Sequence, residues 1–389
     1  MTAGLVSELA ALDACLPGLD ELFDTRGVAA RFEQSGMGAV LACTLLGARY
    51  DPGAGCTATY ALARAAVSRT IGVVDLTPDG WRVRPFADDP ELPGLAAAAD
   101  PMLAATVLGV PECTVTPVRY RPGQRAVLRY DAGPAAHFGK VLATGAAELA
   151  GACERVHALA LGPSPTAVVE RLGLVVLPEV AGQALHALVF DPAVPADARL
   201  DACRGAGRAV ARLHGSPRPE HEVTPLDDVH DAEAAAGALH TIDPRLGERW
   251  AAALAALAAT DISTVEAVAS HGALRTDQLL VTPDGPALLD LDGFCAAPAA
   301  RDLGNLLAYL RWRALRRPDD APAVDTARAA VLAGYEDERV GPVVADLDRH
   351  EGLSLLKIAA RRYRNLDTAE WPLVPKLVEV AHALARGAT

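Results

Sequence analysis

Aromatic side chains make up only 4% of this 389-residue chain, so its interiors are expected to be filled by Ala, Leu and Val rather than by rings. No run of about 18 apolar residues occurs, which excludes an ordinary membrane-spanning helix. No basic stretch followed by an apolar core opens the chain, and a cytoplasmic location is the expectation. Seven cysteines (Cys15, Cys43, Cys56, Cys113, Cys153, Cys203, Cys295) lack paired short spacing, so neither a zinc site nor a disulfide framework is signalled. They read as small buried apolar residues. Positive charge is also in deficit: a formal net charge of -13 argues against the phosphate backbone of a nucleic acid as partner. The local cluster Arg361, Arg362 and Arg364 reads as a solvated helix face. Lysine is scarce beside arginine, which gives weight to wherever a lysine does stand.

What is present is 51% apolar and 22% charged residues, the balance of a globular protein. The length exceeds what one hydrophobic core serves, so two or three packed units are expected. Residues 1–108 mix helix-like and strand-like stretches and end in FADDPELPGLAAAADP, where Pro90, Pro93 and Pro101 mark a boundary. Residues 109–188 read as a β-rich unit. VTPVRYRPGQRAVLRYDA places two strands around a Pro-Gly pair suited to a type II turn. AAHFGKVLA reads as a third strand bearing Lys140, and GAAELAGACERVHALAL as an amphipathic helix with Leu149, Cys153, Val156 and Leu159 near one face. An apolar strand then leads to Glu179 and Gly182. Residues 189–389 are mostly helical, with RLDACRGAGRAVARLHG stopping at Gly215. One β signal interrupts them: LLVTPDGPALLDLDGF, a hairpin by its Pro283-Asp284-Gly285 turn, ends in Asp290 and Asp292.

One hairpin occurs twice. RYDPGAG at 49–55 returns as RYRPGQR at 119–125, and Tyr60 matches Tyr130 at the same offset. The second copy is followed by Lys140. In the first, Thr70 is taken to hold the equivalent place with Arg69 beside it, so that copy reads as a structural module rather than a second site.

The order of a strand lysine, a helix glutamate, PEVAG, GRAVARLHG, SHGALRTDQLLV, LLDLDGF and ARDLGNLLAYL resembles the aminoglycoside phosphotransferase and choline kinase family. Gln278, seven positions after His271, is closest in style to the maltokinase branch. The resemblance implies an α+β, bilobal protein-kinase-like fold. A β-rich nucleotide-binding lobe and a helical lobe follow an N-terminal α/β cap over 1–108. It implies ATP and magnesium as cofactors and the hydroxyl of a sugar or aminoglycoside-like small molecule as acceptor.

Phosphoryl transfer asks mainly for positioning and charge neutralisation. A lysine is therefore needed on the phosphates and carboxylates on the magnesium. By resemblance Lys140 takes the first role, with Glu154 preferred to Glu148 as its ion-pair partner. Asp290 is the chief magnesium ligand, with Asp292 and Gln278 completing the set. Strand alternation is expected to turn Asp290 and Asp292 to one face. Gly123 would let the turn approach the nucleotide, with Arg121 or Arg125 facing its charge and Glu179 in the connector beside it. His271 is expected to bond backbone near the hairpin, and Asp302 to cap its helix or brace the loop.

One position departs from the family. Where it supplies a proton-accepting aspartate, two residues after His271, this chain has Ala273. Three accounts fit: activity is naturally weakened or lost, a substitute carboxylate such as Asp277 or Asp292 serves, or Ala273 is an engineered change. Two alternatives stay open: a catalytically inactive pseudokinase serving as a binding or scaffold subunit for a protein partner, and a kinase-like protein acting on Ser or Thr of a peptide.

Overall fold

The computed structural model describes residues 11, 13–64, 70–259, 266–339 and 346–387. The first sheet is an antiparallel meander of β1 (Val40–Asp51), β2 (Gly55–Arg64), β3 (Thr70–Thr77) and β4 (Gly80–Pro85), in that spatial order. Helix α1 (Thr25–Phe32) precedes it; the Asp24 carboxylate accepts the Arg26 N–H at its start, and Phe32 meets the Tyr60 ring edge-on at 5.8 Å. After α2 (Pro101–Leu108) comes a second sheet: β5 (Thr114–Arg121), β6 (Arg125–Ala132), β7 (Ala135–Leu142), β8 (Ala167–Val169) and β9 (Leu174–Pro178), ordered β5-β6-β7-β9-β8. Helix α3 (Ala146–Ala158) joins β7 to β8 and buries Leu149, Cys153 and Val156, as their spacing predicts, while Leu159, expected near the same face, lies just past its end and is half-buried.

The remainder is helical: α4 (Ala196–His214), α5 (Pro225–Ala235), α6 (Pro244–Ala258), α7 (Ala299–Arg316), α8 (Ala321–Glu338), α9 (Leu347–Arg364) and α10 (Val374–Ala385). Short strands lie within it: β10 (Gln183–Ala184), β11 (Ala267–Ser270), β12 (Leu279–Thr282), β13 (Gly285–Leu288) and β14 (Cys295–Pro298). β12 and β13 pair with Thr282 opposite Gly285, the hairpin that Pro-Asp-Gly announces, while β11 pairs with β14. No helix among the described residues is long and apolar enough to cross a membrane.

The repeated hairpin belongs to a larger repeat. In the first copy, Asp13 Oδ2 accepts from Tyr50 Oη (2.8 Å) and Gly53 N (2.9 Å), and Oδ1 from Cys15 N (3.1 Å). In the second, Asp89 Oδ2 accepts from Tyr120 Oη (2.6 Å) and Gly123 N (2.8 Å), and Oδ1 from Glu91 N (3.0 Å). Tyr60 and Tyr130 each donate to a backbone carbonyl, of Leu22 (2.7 Å) and Ala98 (2.8 Å). Both aspartates open the string D-x-x-L-P-G-L, at 13–19 and 89–95. The same chemistry therefore builds both sheets: an aspartate ahead of the sheet fixes a Pro-Gly turn whose glycine, at φ 70° or 69°, no other residue adopts as easily.

Strand register corrects one correspondence. Thr57 in β2 pairs with Asp75, and its counterpart Val127 pairs with Lys140. Asp75, not Thr70, thus holds the place of Lys140, because the β2–β3 connection is the longer one; Arg69 lies outside the described residues. The first copy inverts the charge at that place, and Asp75 is paired with Arg84 (3.0 Å), which also donates to Tyr120 of the second sheet (3.0 Å).

Removing either aspartate strips an acceptor from three donors. Asp13→Ala and Asp89→Ala are each expected to cost about 2–4 kcal/mol in urea unfolding, by the same mechanism. A neutral result for one of them would break the equivalence of the two copies.

The first sheet also docks on the helical half. Tyr50, Tyr60 and Leu62 share one apolar cluster with Trp250 of α6, Leu353 of α9 and Leu377 of α10. Asp51, at the first hairpin's tip, pairs with Arg364 of α9 at 3.0 Å. This overturns the reading of Arg362 and Arg364 as a solvated face, while Arg361 is exposed as expected. Arg362 pairs with Asp367 (2.9 Å) and lies 4.8 Å over the Trp312 ring. Among the described residues only Arg361 of these three has no ion-pair partner.

Candidate active site

Lys140 is one of three lysines in the chain and sits near the end of β7, its side chain 10% exposed. Its Nζ lies 2.5 Å from Asp290 Oδ1 and 2.5 Å from Asp292 Oδ1, so the β-rich and helical parts meet across one crevice. Arg125, at the start of β6, joins them, pairing with Asp292 and, at 3.5 Å, with Asp290 Oδ2. Burial pulls the Asp290 carboxyl up, but Lys140 and Arg125 outweigh it and hold it well below the usual carboxylate range. Lys140 is itself lowered by burial, which its carboxylate partner offsets only in part.

The two aspartates converge by a route other than strand alternation. β13 ends at Leu288, Asp290 takes a left-handed conformation (φ 65°, ψ 51°), and a single tight turn over Leu291–Gly293 carries Asp292 back toward the same ammonium. A left-handed non-glycine residue is strained by about 1–3 kcal/mol and is found where surrounding contacts enforce it.

Gln278 completes this corner. Its Nε2 donates to Asp290 Oδ2 at 3.0 Å, while its Oε1 is buried with no hydrogen-bond partner. An orphaned amide oxygen beside two carboxylates is the donor set a hard divalent cation takes. Among the described residues no cluster of three or more His, Cys, Asp or Glu side chains is placed to hold a metal. Magnesium characteristically uses one or two carboxylates and draws its other oxygens from phosphate and water.

The loop at 271–274 is fixed from behind by α7. Asp302, fully buried, accepts from His271 N (2.6 Å) and Gly272 N (2.9 Å). Its Oδ2 also lies 3.2 Å from His214 Nε2. His271 Nε2 is 2.8 Å from the Leu289 carbonyl. Arg301 bonds the Gly272 carbonyl and pairs with Asp228 at 3.0 Å, and Asn305 Nδ2 donates to Leu274 O at 2.7 Å. Gly272 has φ 85°, and a Cβ there would collide with the Gly293 carbonyl, so only glycine fits. Ala273 is exposed, and its side chain offers no proton acceptor.

Other sequence candidates are placed elsewhere. Glu154 accepts from Ser164 Oγ at 2.8 Å on the surface, and the ion pair expected of it with Lys140 is made by Asp290 and Asp292 instead. The reason is rotational: with Leu149, Cys153 and Val156 buried, the next position after Cys153 turns outward. Glu179 pairs with Arg129 at 2.7 Å, exposed. Asp277 is exposed and bound to Arg275 at 2.9 Å. Arg301, Asn305, Asp228 and Lys357 were not singled out from the sequence. The nearest signal was the spacing of Arg301, Asp302 and Asn305 along one helix, adjacent or one turn apart.

The profile of the phosphotransferase enzyme family matches residues 131–353, more than half of the chain. A putative aminoglycoside phosphotransferase from Ralstonia eutropha superposes with a TM-score of 0.54 at 14% identity, covering 71% of this chain and 93% of that one. A choline kinase from Streptococcus pneumoniae gives 0.51 at 11% identity, covering 74% and 98%. An amicoumacin kinase, solved in complex with AMP-PNP, Ca2+ and Ami, gives 0.50 at 14%, covering 70% and 88%. At these identities the likeness is one of fold: α+β, with the bilobal kinase-like arrangement of a sheet-built part and a helical part. No curated protein matches the chain.

Proposed function

Because the chain belongs to the phosphotransferase enzyme family, we propose that it transfers the γ-phosphoryl group of ATP to a hydroxyl of a small molecule in the crevice between Lys140 and Asp290. The observation that carries this is the convergence of one ammonium and two carboxylates, each contact at 2.5 Å, beside the unpartnered oxygen of Gln278. On this reading residues 109–188 form the nucleotide lobe, 189–389 the acceptor and metal lobe, and 1–108 a cap. Lys140 binds the phosphates as a compact point charge. Gly123 lets the β5–β6 turn approach them, and Arg125 leaves the aspartates to face them. Asp290, Asp292 and Gln278 are the residues that would hold magnesium, which when bound neutralises charge on the transferring group. The acceptor oxygen forms the new P–O bond, the bond to ADP breaks, and the acceptor's proton, with no side chain to receive it at position 273, passes to the water that the exposed Ala273 admits.

That last feature favours a second reading, a nucleotide-binding protein without turnover. Calorimetric titration with AMP-PNP, with and without magnesium, and turnover on a panel of hydroxyl compounds separate the two. Magnesium-dependent binding with turnover supports the transferase; binding without turnover supports the second reading. No binding at all would remove both.

A further inference from the structure

The two copies of the repeated hairpin differ in one contact. Each hairpin tyrosine donates to its own aspartate, Tyr50 to Asp13 at 2.8 Å and Tyr120 to Asp89 at 2.6 Å. Tyr120 also receives a hydrogen bond, from Arg84 Nη1 at 3.0 Å, and among the described residues Tyr50 has no counterpart to that donor. Arg84 comes from the other sheet, on β4. Its Nε donates to Asp75 at 3.0 Å, and Asp75 is held in turn by Thr57 Oγ1 at 2.9 Å. Asp75 stands where the second copy has Lys140. The place that bears the crevice ammonium in the second copy therefore bears, in the first, the carboxylate that aims Arg84 across at Tyr120.

The segment after β4 closes on the same tyrosine. Phe86 meets the Tyr120 ring edge-on at 5.9 Å, and Asp89 takes its hydroxyl. Arg84 and Asp89 are both buried, and Ile71 and Val73 of β3 share one apolar cluster with Leu128, Tyr130 and Val141 of the second sheet. Little water reaches this junction, so charge-assisted hydrogen bonds are stronger there than at a surface. Burial, then Asp89, raise the Tyr120 hydroxyl above its ordinary range. It therefore keeps the proton it gives to Asp89 while accepting from Arg84.

From Tyr120 the hold passes on to the crevice. Asp89 Oδ2, which takes the Tyr120 hydroxyl, also accepts from Gly123 N at 2.8 Å. Gly123 lies in the turn closed by Gln124 N donating to Arg121 O at 3.0 Å, and the strand that leaves this turn starts at Arg125. Arg125 pairs with Asp292 and Asp290. An unbroken line of contacts thus runs from Asp75 through Arg84, Tyr120 and Asp89 to the turn that sets Arg125 in the crevice.

We propose that Arg84 is a positioning residue for the nucleotide: from the N-terminal sheet it fixes Tyr120 and, through Asp89, the β5–β6 turn, so that Gly123 and Arg125 are in place before a triphosphate arrives. This rests on the phosphotransferase reading, and it gives the first copy of the hairpin a part in nucleotide binding without a site of its own. A turn fixed in advance need not be ordered by its ligand, so less conformational entropy opposes binding.

The test compares Tyr120→Phe with Tyr50→Phe. Each removes one hydroxyl from one aspartate and keeps the ring, so both proteins are expected to fold. Only Tyr120→Phe breaks the line from Arg84. Calorimetric titration with AMP-PNP and magnesium should show binding weakened about fivefold or more in Tyr120→Phe, with Tyr50→Phe within about twofold of the native protein. Hydrogen exchange at the Gly123 amide, followed without nucleotide, should quicken in Tyr120→Phe. Arg84→Gln should behave like Tyr120→Phe, and combining the two should weaken binding no further than the worse single variant. Arg84→Lys should recover part of the loss, since it keeps a cationic donor near the hydroxyl. In turnover the loss belongs to KM for ATP, with kcat within about twofold. Equal AMP-PNP affinity in the two tyrosine variants, additive losses in the double variant, a loss confined to kcat, or unchanged exchange at Gly123 overturns the proposal. Failure of the native protein to bind AMP-PNP instead removes the nucleotide reading beneath it, and the exchange measurement then still decides whether Arg84 holds the turn.

Discussion

Asp290→Asn is expected to lower turnover with ATP by about 10³-fold or more while leaving the protein folded. The change keeps the shape of the side chain, so no cavity opens; its amide oxygen can accept from either Gln278 Nε2 or Lys140 Nζ, but no longer from both. The change removes one of the two negative charges that face Lys140. Asp292 still pairs with both Lys140 and Arg125, and the Asp290 side chain is 22% exposed, so the loss of stability should stay within about 2 kcal/mol. Under the proposed function, transition-state stabilisation loses the charge assigned to the metal, and 10³-fold corresponds to roughly 4 kcal/mol. The signature is in the magnesium dependence. Without magnesium the variant should bind nucleotide at least as well as the native protein, since phosphate no longer competes with Asp290 for Lys140. With magnesium, the native gain in affinity should disappear. A variant that kept that gain would remove Asp290 from the metal site.

What the sequence made legible was chemistry set by neighbours in the chain. Pro283-Asp284-Gly285 announced the hairpin, and the spacing of Leu149, Cys153 and Val156 announced the buried face of α3. The lysine and the aspartates of the crevice are legible because motif order ties them together. What was not legible depends on packing between distant segments. Asp228 meets Arg301 and Lys357 across separations of 73 and 129 residues, and no local pattern encodes that. Arg362 and Arg364 looked like an ordinary solvated face because what covers them, Trp312 and Asp51, lies on other elements. The repeated hairpin was visible, but Asp13 and Asp89 were not, since their offset of 76 differs from the 70 that relates the turns. Asp290 marks a different limit: alternation suggested one face for both aspartates, and the backbone reached that outcome through a left-handed residue and a tight turn.

Ala273→Asp is expected to raise the rate in the opposite direction, by roughly 10²–10⁴-fold in kcat, the usual contribution of a positioned proton acceptor. The backbone around it is already set. Asp302 holds the N–H groups of His271 and Gly272, Arg301 holds the Gly272 carbonyl, and the Gly293 carbonyl enforces glycine at 272. None of these contacts involves the side chain at 273. Ala273 is exposed, so a carboxylate there meets water rather than the core, and stability should move by no more than about 0.5 kcal/mol. The gain should appear in kcat with KM nearly unchanged, because the new group acts on a proton rather than on ground-state binding. It should fade as pH falls toward the carboxylate range near 4 and be absent from Ala273→Asn, which matches the shape without the base. A large gain seen in both variants would mean that reshaping the loop, not proton transfer, is responsible. Equal rates in all three would mean that the native chain already disposes of the proton elsewhere, with Asp292, two residues past the chief metal-directed carboxylate, the group to exchange next.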